Sequence, residues 1–331
     1  MQKDFKFQTQ DIFKALNSES FEEICLELFR FQYQNIPIYK DFVKALNINA
    51  EEVVQVKDIP FMPIEFFKDF EVKAPMANTE IIFKSSGTTG MARSQHMVQE
   101  LSVYEESFMK GFELFYGPIE EYVVLGLLPS YIENGESSLV YMVDHLIKQS
   151  KNANSGFYLN DYPALLKQLD QLKDSSKKVL LLGVSYALLD VTELQKIDSP
   201  ELIIMETGGM KGRRKEMVRE ELHAQLKKGF GVNKIHSEYG MTELLSQAYS
   251  DGNGLFTCPP WMKIMIRDVN DPLSLLEEGK SGAINIIDLA NIYSVSFLAT
   301  KDLGKITGEN QFEILGRYDN SDVRGCNLLI A

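Results

Sequence analysis

The chain has 331 residues, 44% of them hydrophobic, and a formal net charge of -13. That supplies apolar material for a large core, while the acidic balance argues against a nucleic-acid partner and against attraction to anionic lipid. Cys25, Cys258 and Cys326 are far apart, with no CxxC or cysteine–histidine spacing of a zinc site. No signal-type segment and no apolar run of about 20 residues occurs, so a reducing cytoplasm is the expected compartment.

In chain order, the first 75 residues predict helices. SFEEICLELFRFQYQ places Phe21, Ile24, Cys25, Leu28 and Phe29 at helical spacing, with Ser20 and Glu23 as a capping box. Cys25 on that face reads as core. Pro60 and Pro63 break any helix in DIPFMPIEFFKDF. From residue 79, short apolar runs at 80–83, 122–128, 178–184 and 201–206 predict buried strands. Helices are expected at 98–116, 136–149, 161–173 and 210–228, the last with a seam of Val218, Leu222 and Leu226. Lys211, Arg213, Arg214 and Lys215 crowd its start, as a solvated face or as a rim near an anion. After residue 254, INIIDL, YSVSFLATKDLGKI and FEILGR predict hairpins. The expected fold class is α/β, largely parallel sheet flanked by helices, plus a β-rich C-terminal part.

The stretch KSSGTTGMARSQ, residues 84–95, carries the first chemical signal. It is expected to join a parallel strand to a helix, at the edge where α/β sheets bind ligands. Gly87 and Gly90 let backbone N–H groups converge on an anion, and Ser85, Ser86, Thr88 and Thr89 add hydroxyl donors. GxxxxGK[ST] is absent, so this is not the P-loop of kinases and GTPases.

SSGTTG with Arg93 resembles the signature loop of the adenylate-forming superfamily, which includes acyl-CoA synthetases and peptide-synthetase adenylation domains. The superfamily pattern continues glycine, any residue, proline, lysine, glycine; here it continues Gly90, Met91, Ala92, Arg93, Ser94. HSEYGMTE (236–243) resembles the YGxTE block. The resemblance implies Tyr239 and Gly240 against adenine, Thr242 at the α-phosphate, and Glu243 holding Mg²⁺. TGGMKG (207–212) resembles the glycine-rich segment passing the adenine, with Gly208 and Gly209. ATKDLGKI (299–306) resembles the TGDLG block, with Asp302 on the ribose hydroxyls and Lys301 in place of glycine. GRYDNSDVRG (316–325) resembles the GRxD block, where Arg317 also reaches the ribose. ATP and Mg²⁺ are the implied cofactors.

Superfamily members continue for roughly a hundred residues past the GRxD block into a lid domain, and this chain is expected to lack it. In this it is similar to the acyl-protein synthetases that feed fatty acids to bacterial luciferase, where a cysteine near the C-terminus carries the acyl group. Cys326 in SDVRGCNLLIA is the matching residue. Arg324, two residues away, favours its thiolate, and Leu328, Leu329 and Ile330 suggest a docked tail. LPSYIENGESSLVYM (128–142) and GVSYALLDV (183–191) resemble that family near its acyl pocket.

Three regions are expected: a helical segment at 1–78, a nucleotide-binding core at 79–316, and a tail at 317–331. The resemblance implies activation of a fatty carboxylic acid to acyl-adenylate, then transfer to a thiol, with Cys326, Thr242 and Arg93 as catalytic residues and a reductase as partner. Two other readings stay open: a small-acid ligase resembling phenylacetate-CoA ligases, and a non-enzymatic subunit of a complex.

Overall fold

A computed structural model describes residues 9–14, 18–75, 78–86, 92–128, 136–208, 210, 213–215 and 217–318. The N-terminal part contains helices α1 (Ser18–Asn35) and α2 (Pro37–Ala45), strand β1 (Met62–Pro63) and helix α3 (Phe66–Asp69). Strands β2 (Ile81–Lys84) and β3 (Gln95–Val98) precede α4 (Leu101–Tyr116), β4 (Tyr122–Leu127), α5 (Ser138–Ser150), β5 (Gly156–Phe157) and α6 (Tyr162–Gln171). Then come β6 (Lys178–Val184), α7 (Ser185–Leu194), β7 (Ile203–Thr207), α8 (Arg219–Phe230) and β8 (His236–Tyr239). The rest is strand: β9 (Ala248–Ser250), β10 (Leu255–Thr257), β11 (Met262–Arg267), β12 (Ser281–Asp288), β13 (Phe297–Gly308) and β14 (Gln311–Arg317).

Among the described residues, one large sheet runs β11-β12-β13-β14-β10-β9-β8-β7-β6-β4-β5, with β1 added beside β13. From β5 to β8 every pairing is parallel. From β8 onward the path is antiparallel. Every residue of β4 is buried, as are all of β6 after Lys178. Helices covering both faces explain why these strands are continuous apolar runs rather than alternating ones. Parallel β6, β7 and β8 all end at one edge, so Ser185, Gly208 and Gly240 lie together where such sheets bind ligands.

Two expectations are corrected. The run at 80–83 does not enter the parallel sheet. β2 pairs antiparallel with β3 in a separate two-stranded sheet, and the following helix starts at Leu101. QHMV is too short for its alternation to stand out, and its partner lies across the loop. The helix expected at 210–228 begins only at Arg219, with Val218 as its N-cap and 67% exposed. The buried seam is Leu222, Leu226 and Phe230, without Val218. The arginines before it have other partners: Arg214 pairs with Asp190 and Glu193 of α7, and Arg213 lies 5.1 Å from the Tyr186 ring. Helix α7 itself was not expected.

The N-terminal helices share the core of the sheet. Cys25, Leu28 and Phe29 are fully buried, and Phe29 meets Phe297 edge to face at 6.5 Å. Buried Gln32 fixes α1 to the turn before β13. Its Nε2 donates to the carbonyls of Asn291 (2.8 Å) and Ile292 (3.1 Å) and to Ser296 Oγ (2.9 Å). Its Oε1 accepts from the Ser296 N–H at 3.1 Å. Gln32→Ala strands several buried backbone groups, and each such loss costs on the order of 1–3 kcal/mol. Urea unfolding is expected to show a loss of about 2–4 kcal/mol in one cooperative transition.

Candidate active site

The carboxyl edge of the parallel strands and the antiparallel strands beyond them enclose most of the residues singled out in the sequence. β13 and β14 pair so that Asp302 lies opposite Arg317. From β8, the Tyr239 hydroxyl donates to Asp302 Oδ2 at 2.7 Å. The Tyr239 ring is held edge-on by Phe256 and Phe312, with centroids 5.9 and 5.7 Å away. Burial raises the Asp302 carboxyl, and the Tyr239 hydroxyl and the Arg317 charge oppose that rise. Lys301, in the position where the superfamily pattern has glycine, turns to Glu65 Oε1 at 2.8 Å. The substitution therefore ties β13 to the entry of α3.

A Cβ at Gly240 would lie 2.3 Å from Glu238 Oε1, so a side chain there would require that carboxylate to shift. Gly208 has φ +65°, a left-handed conformation that glycine adopts without strain. Its carbonyl accepts from Ser185 Oγ at 2.6 Å, which binds the end of β7 to the start of α7.

The turn after β8 carries Thr242 and Glu243. Asp288, fully buried at the end of β12, holds the segment immediately beyond Glu243. Its carboxylate accepts from the N–H groups of Leu245 (2.8 Å), Ser246 (3.0 Å) and Ala290 (3.1 Å) and from Ser246 Oγ (2.5 Å). The Glu243 carbonyl accepts from Asn291 Nδ2 at 2.8 Å. The Glu243 carboxyl is buried, which raises it; a hydrogen bond from Ser94 and the charges of Arg317 and Lys68 act the other way. Arg317 thus bears on both Asp302 and Glu243.

The hairpin meets this turn. His96 of β3 is buried, and burial holds it near pKa 4, hence neutral. Its Nδ1 lies 2.9 Å from the Thr242 carbonyl. A carbonyl only accepts, so Nδ1 carries the proton. Phe67 packs edge-on against the imidazole at 5.4 Å.

Ser85 closes the hairpin: its N–H donates to the Ser94 carbonyl and its Oγ accepts from the Ser94 N–H, both at 3.0 Å. Arg93 folds back on the same hairpin, donating from Nε to the Ser85 carbonyl at 2.6 Å, with Nη1 3.6 Å from Glu136 Oε2. Lys84 shares Glu136, at 2.5 Å. Ser86 follows Ser85 at the described end of β2. Gly87, Thr88, Thr89, Gly90, Gly209 and Cys326 lie outside the described residues.

The structure therefore unites Tyr239, Asp302 and Arg317, and brings Thr242 and Glu243 to the hairpin of Ser85 and Arg93. Sequence reading missed Ser94, His96, Lys84, Glu136 and Asp288, whose partners are too distant along the chain to leave a pattern. Cys25 and Cys258 are buried and free, and burial pushes both thiols far up, away from thiolate.

Among the described residues no group of three or more His, Cys, Asp or Glu could hold a metal ion. Glu243 still suits Mg²⁺, which commonly takes one or two carboxylates and completes its shell with substrate phosphates and water. No helix among the described residues is long and apolar enough to cross a membrane.

The family model described as "Acyl-protein synthetase, LuxE" matches residues 10–331. The chain belongs to that family. No curated protein sequence matches it. Its fold is similar to that of 2-hydroxyisobutyryl-CoA ligase, in an open conformation with 2-HIB-AMP and CoA. The TM-score there is 0.67 at 12% identity, over 91% of this chain and 70% of that one. ATP-bound MatB from Rhodopseudomonas palustris gives a TM-score of 0.53 at 18% identity, over 73% of this chain and 49% of that one. Family and fold together identify a ligase that activates acyl groups, with the adenylate-forming architecture.

Glu238 is buried, and burial with the nearby Glu206 charge pushes it up to about 7, against a hydrogen bond from Thr207. The folded state thus holds a proton that an unfolded glutamate, titrating near 4.5, has already released. Its contribution to stability is present in full below about 4.5 and is lost as pH rises through about 7. Glu238→Gln removes the titration. Its stability relative to wild type is expected to climb across that window and to stay flat below it, as read by denaturant unfolding at a series of pH values.

Proposed function

We propose that the chain activates a fatty carboxylic acid with ATP and passes the acyl group to a thiol, its own Cys326. The observation that carries this reading is the convergence of two half-sites. Tyr239, with Asp302 and Arg317 joined by a 2.7 Å hydrogen bond and strand register, offers a flat ring beside a charged acceptor, suited to a nucleoside. Thr242 and Glu243, seated against the Ser85–Ser94 hairpin, offer hydroxyls, N–H groups and a carboxylate, suited to a phosphate chain.

In the first half-reaction a carboxylate oxygen attacks the α-phosphorus, and the bond to the bridging oxygen breaks with pyrophosphate leaving. Two anions must meet, so cationic and N–H groups have to offset their repulsion. Arg93 and the hairpin hydroxyls supply donors, and Thr242 faces the α-phosphate. A Mg²⁺ on Glu243 would supply further neutralisation of the phosphate charge. In the second half-reaction a thiolate attacks the acyl carbonyl, and AMP leaves with the bonding electron pair. The family supports an acyl-protein product and a reductase that collects it. Cys25 and Cys258, both buried, are poor acceptors beside Cys326.

Asp302→Ala should weaken ATP binding about tenfold or more, because a ribose hydroxyl loses a charged acceptor. Calorimetric titration with ATP reads this directly, and unchanged affinity removes Asp302 from the ribose. The acceptor is tested by incubation with ATP, Mg²⁺ and a panel of carboxylic acids, followed by intact-protein mass spectrometry. Cys326→Ser should keep acid-dependent ATP–pyrophosphate exchange and lose the hydroxylamine-sensitive acyl mark, since an alcohol is a far poorer nucleophile at neutral pH. A full mark on Cys326→Ser places the acceptor elsewhere. Exchange with an unmarked wild type points to CoA or another protein as acceptor.

A further inference from the structure

The β2–β3 hairpin has no strand pairing to the large sheet among the described residues. Its register against the turn after β8 must be set by side chains. Residues 94, 96 and 98 alternate with 95 and 97, so they share one face, and all three are buried. One of them reaches that turn: His96 Nδ1 meets the Thr242 carbonyl at 2.9 Å, 146 residues away in sequence.

We propose that His96 is a positioning residue that locks the Thr242–Glu243 turn to strand β3 of the hairpin. This rests on the ATP-dependent reading above. A neutral imidazole with its proton on Nδ1 fixes the carbonyl on the residue before Glu243, and Phe67 fixes the ring. His96 does not need to touch substrate. Tolerance for misplacement at such sites is small, with about 1 Å able to cost a hundredfold in rate.

The test compares His96→Asn with His96→Leu. The asparagine amide nitrogen can occupy the Nδ1 position and donate to Thr242, whereas leucine cannot. Both lose the imidazole packing on Phe67, so a defect confined to His96→Leu is not a packing effect. In acid-dependent ATP–pyrophosphate exchange, His96→Leu should lose about tenfold or more in kcat with KM for ATP nearly unchanged, and His96→Asn should stay within about threefold of wild type.

A second readout uses neither nucleotide nor metal. Amide hydrogen exchange across residues 241–246 should be faster in His96→Leu than in wild type and His96→Asn. Equal exchange kinetics and equal amide protection in His96→Leu and His96→Asn overturn the proposal. If His96→Leu does not fold, His96→Ala replaces it in both readouts, and equality with His96→Asn there overturns the proposal. A wild type without pyrophosphate exchange on any acid, but with the amide effect present, sinks the ATP reading and leaves the lock standing.

Discussion

A single buried carboxylate, Asp288, sets the geometry on which the candidate site depends. It gathers three backbone N–H groups and one hydroxyl from two segments more than forty residues apart. Charge-assisted bonds of this kind are among the stronger ones a protein makes. They fix the turn beyond β8 at the point where the sheet changes from parallel to antiparallel. Nothing in regular strand pairing would hold that turn, because the ladder to β9 resumes only at Ala248. Tyr239 at the end of β8 and Glu243 in the turn keep a constant relation because Asp288 removes the turn's freedom. Fully desolvated, its carboxyl is raised by burial, and the converging donors oppose that rise.

Around that anchor the charges are shared rather than paired off. Arg317 acts on Asp302 across the strand register and on Glu243 through space. Glu136 serves both Lys84 and Arg93 at the base of the hairpin. Lys301 is drawn aside by Glu65. The cationic side chains around the candidate site are therefore already oriented, which lowers the ordering entropy that a ligand there would otherwise have to offset.

Much of this was legible in the linear sequence. Strands β4, β6 and β7 were readable because burial on both faces leaves uninterrupted apolar runs. Tyr239, Glu243, Asp302 and Arg317 were readable because each stands in a short block of sequence that resembles a known superfamily. The hairpin was not, since β3 is four residues long and finds its partner only across a loop. The 210–218 stretch looked helical by composition, yet its arginines are taken up by Asp190, Glu193 and the Tyr186 ring. His96 and Asp288 were silent for a common reason. Each derives its role from a partner more than forty residues away, and no local periodicity encodes such a contact.

The bonds of Gln32 carry a further consequence for synthesis on the ribosome. Its partners, Asn291, Ile292 and Ser296, are translated about 260 residues after it. At 5–20 residues per second, roughly 10–50 s pass before α1 can find the surface that buries it. Throughout that interval Phe21, Leu28 and Phe29 present an apolar stripe to solvent, a ready target for chaperones and for neighbouring nascent chains. A helix made early is thus sealed late, and translation speed sets a lower bound on the period in which it stands uncovered.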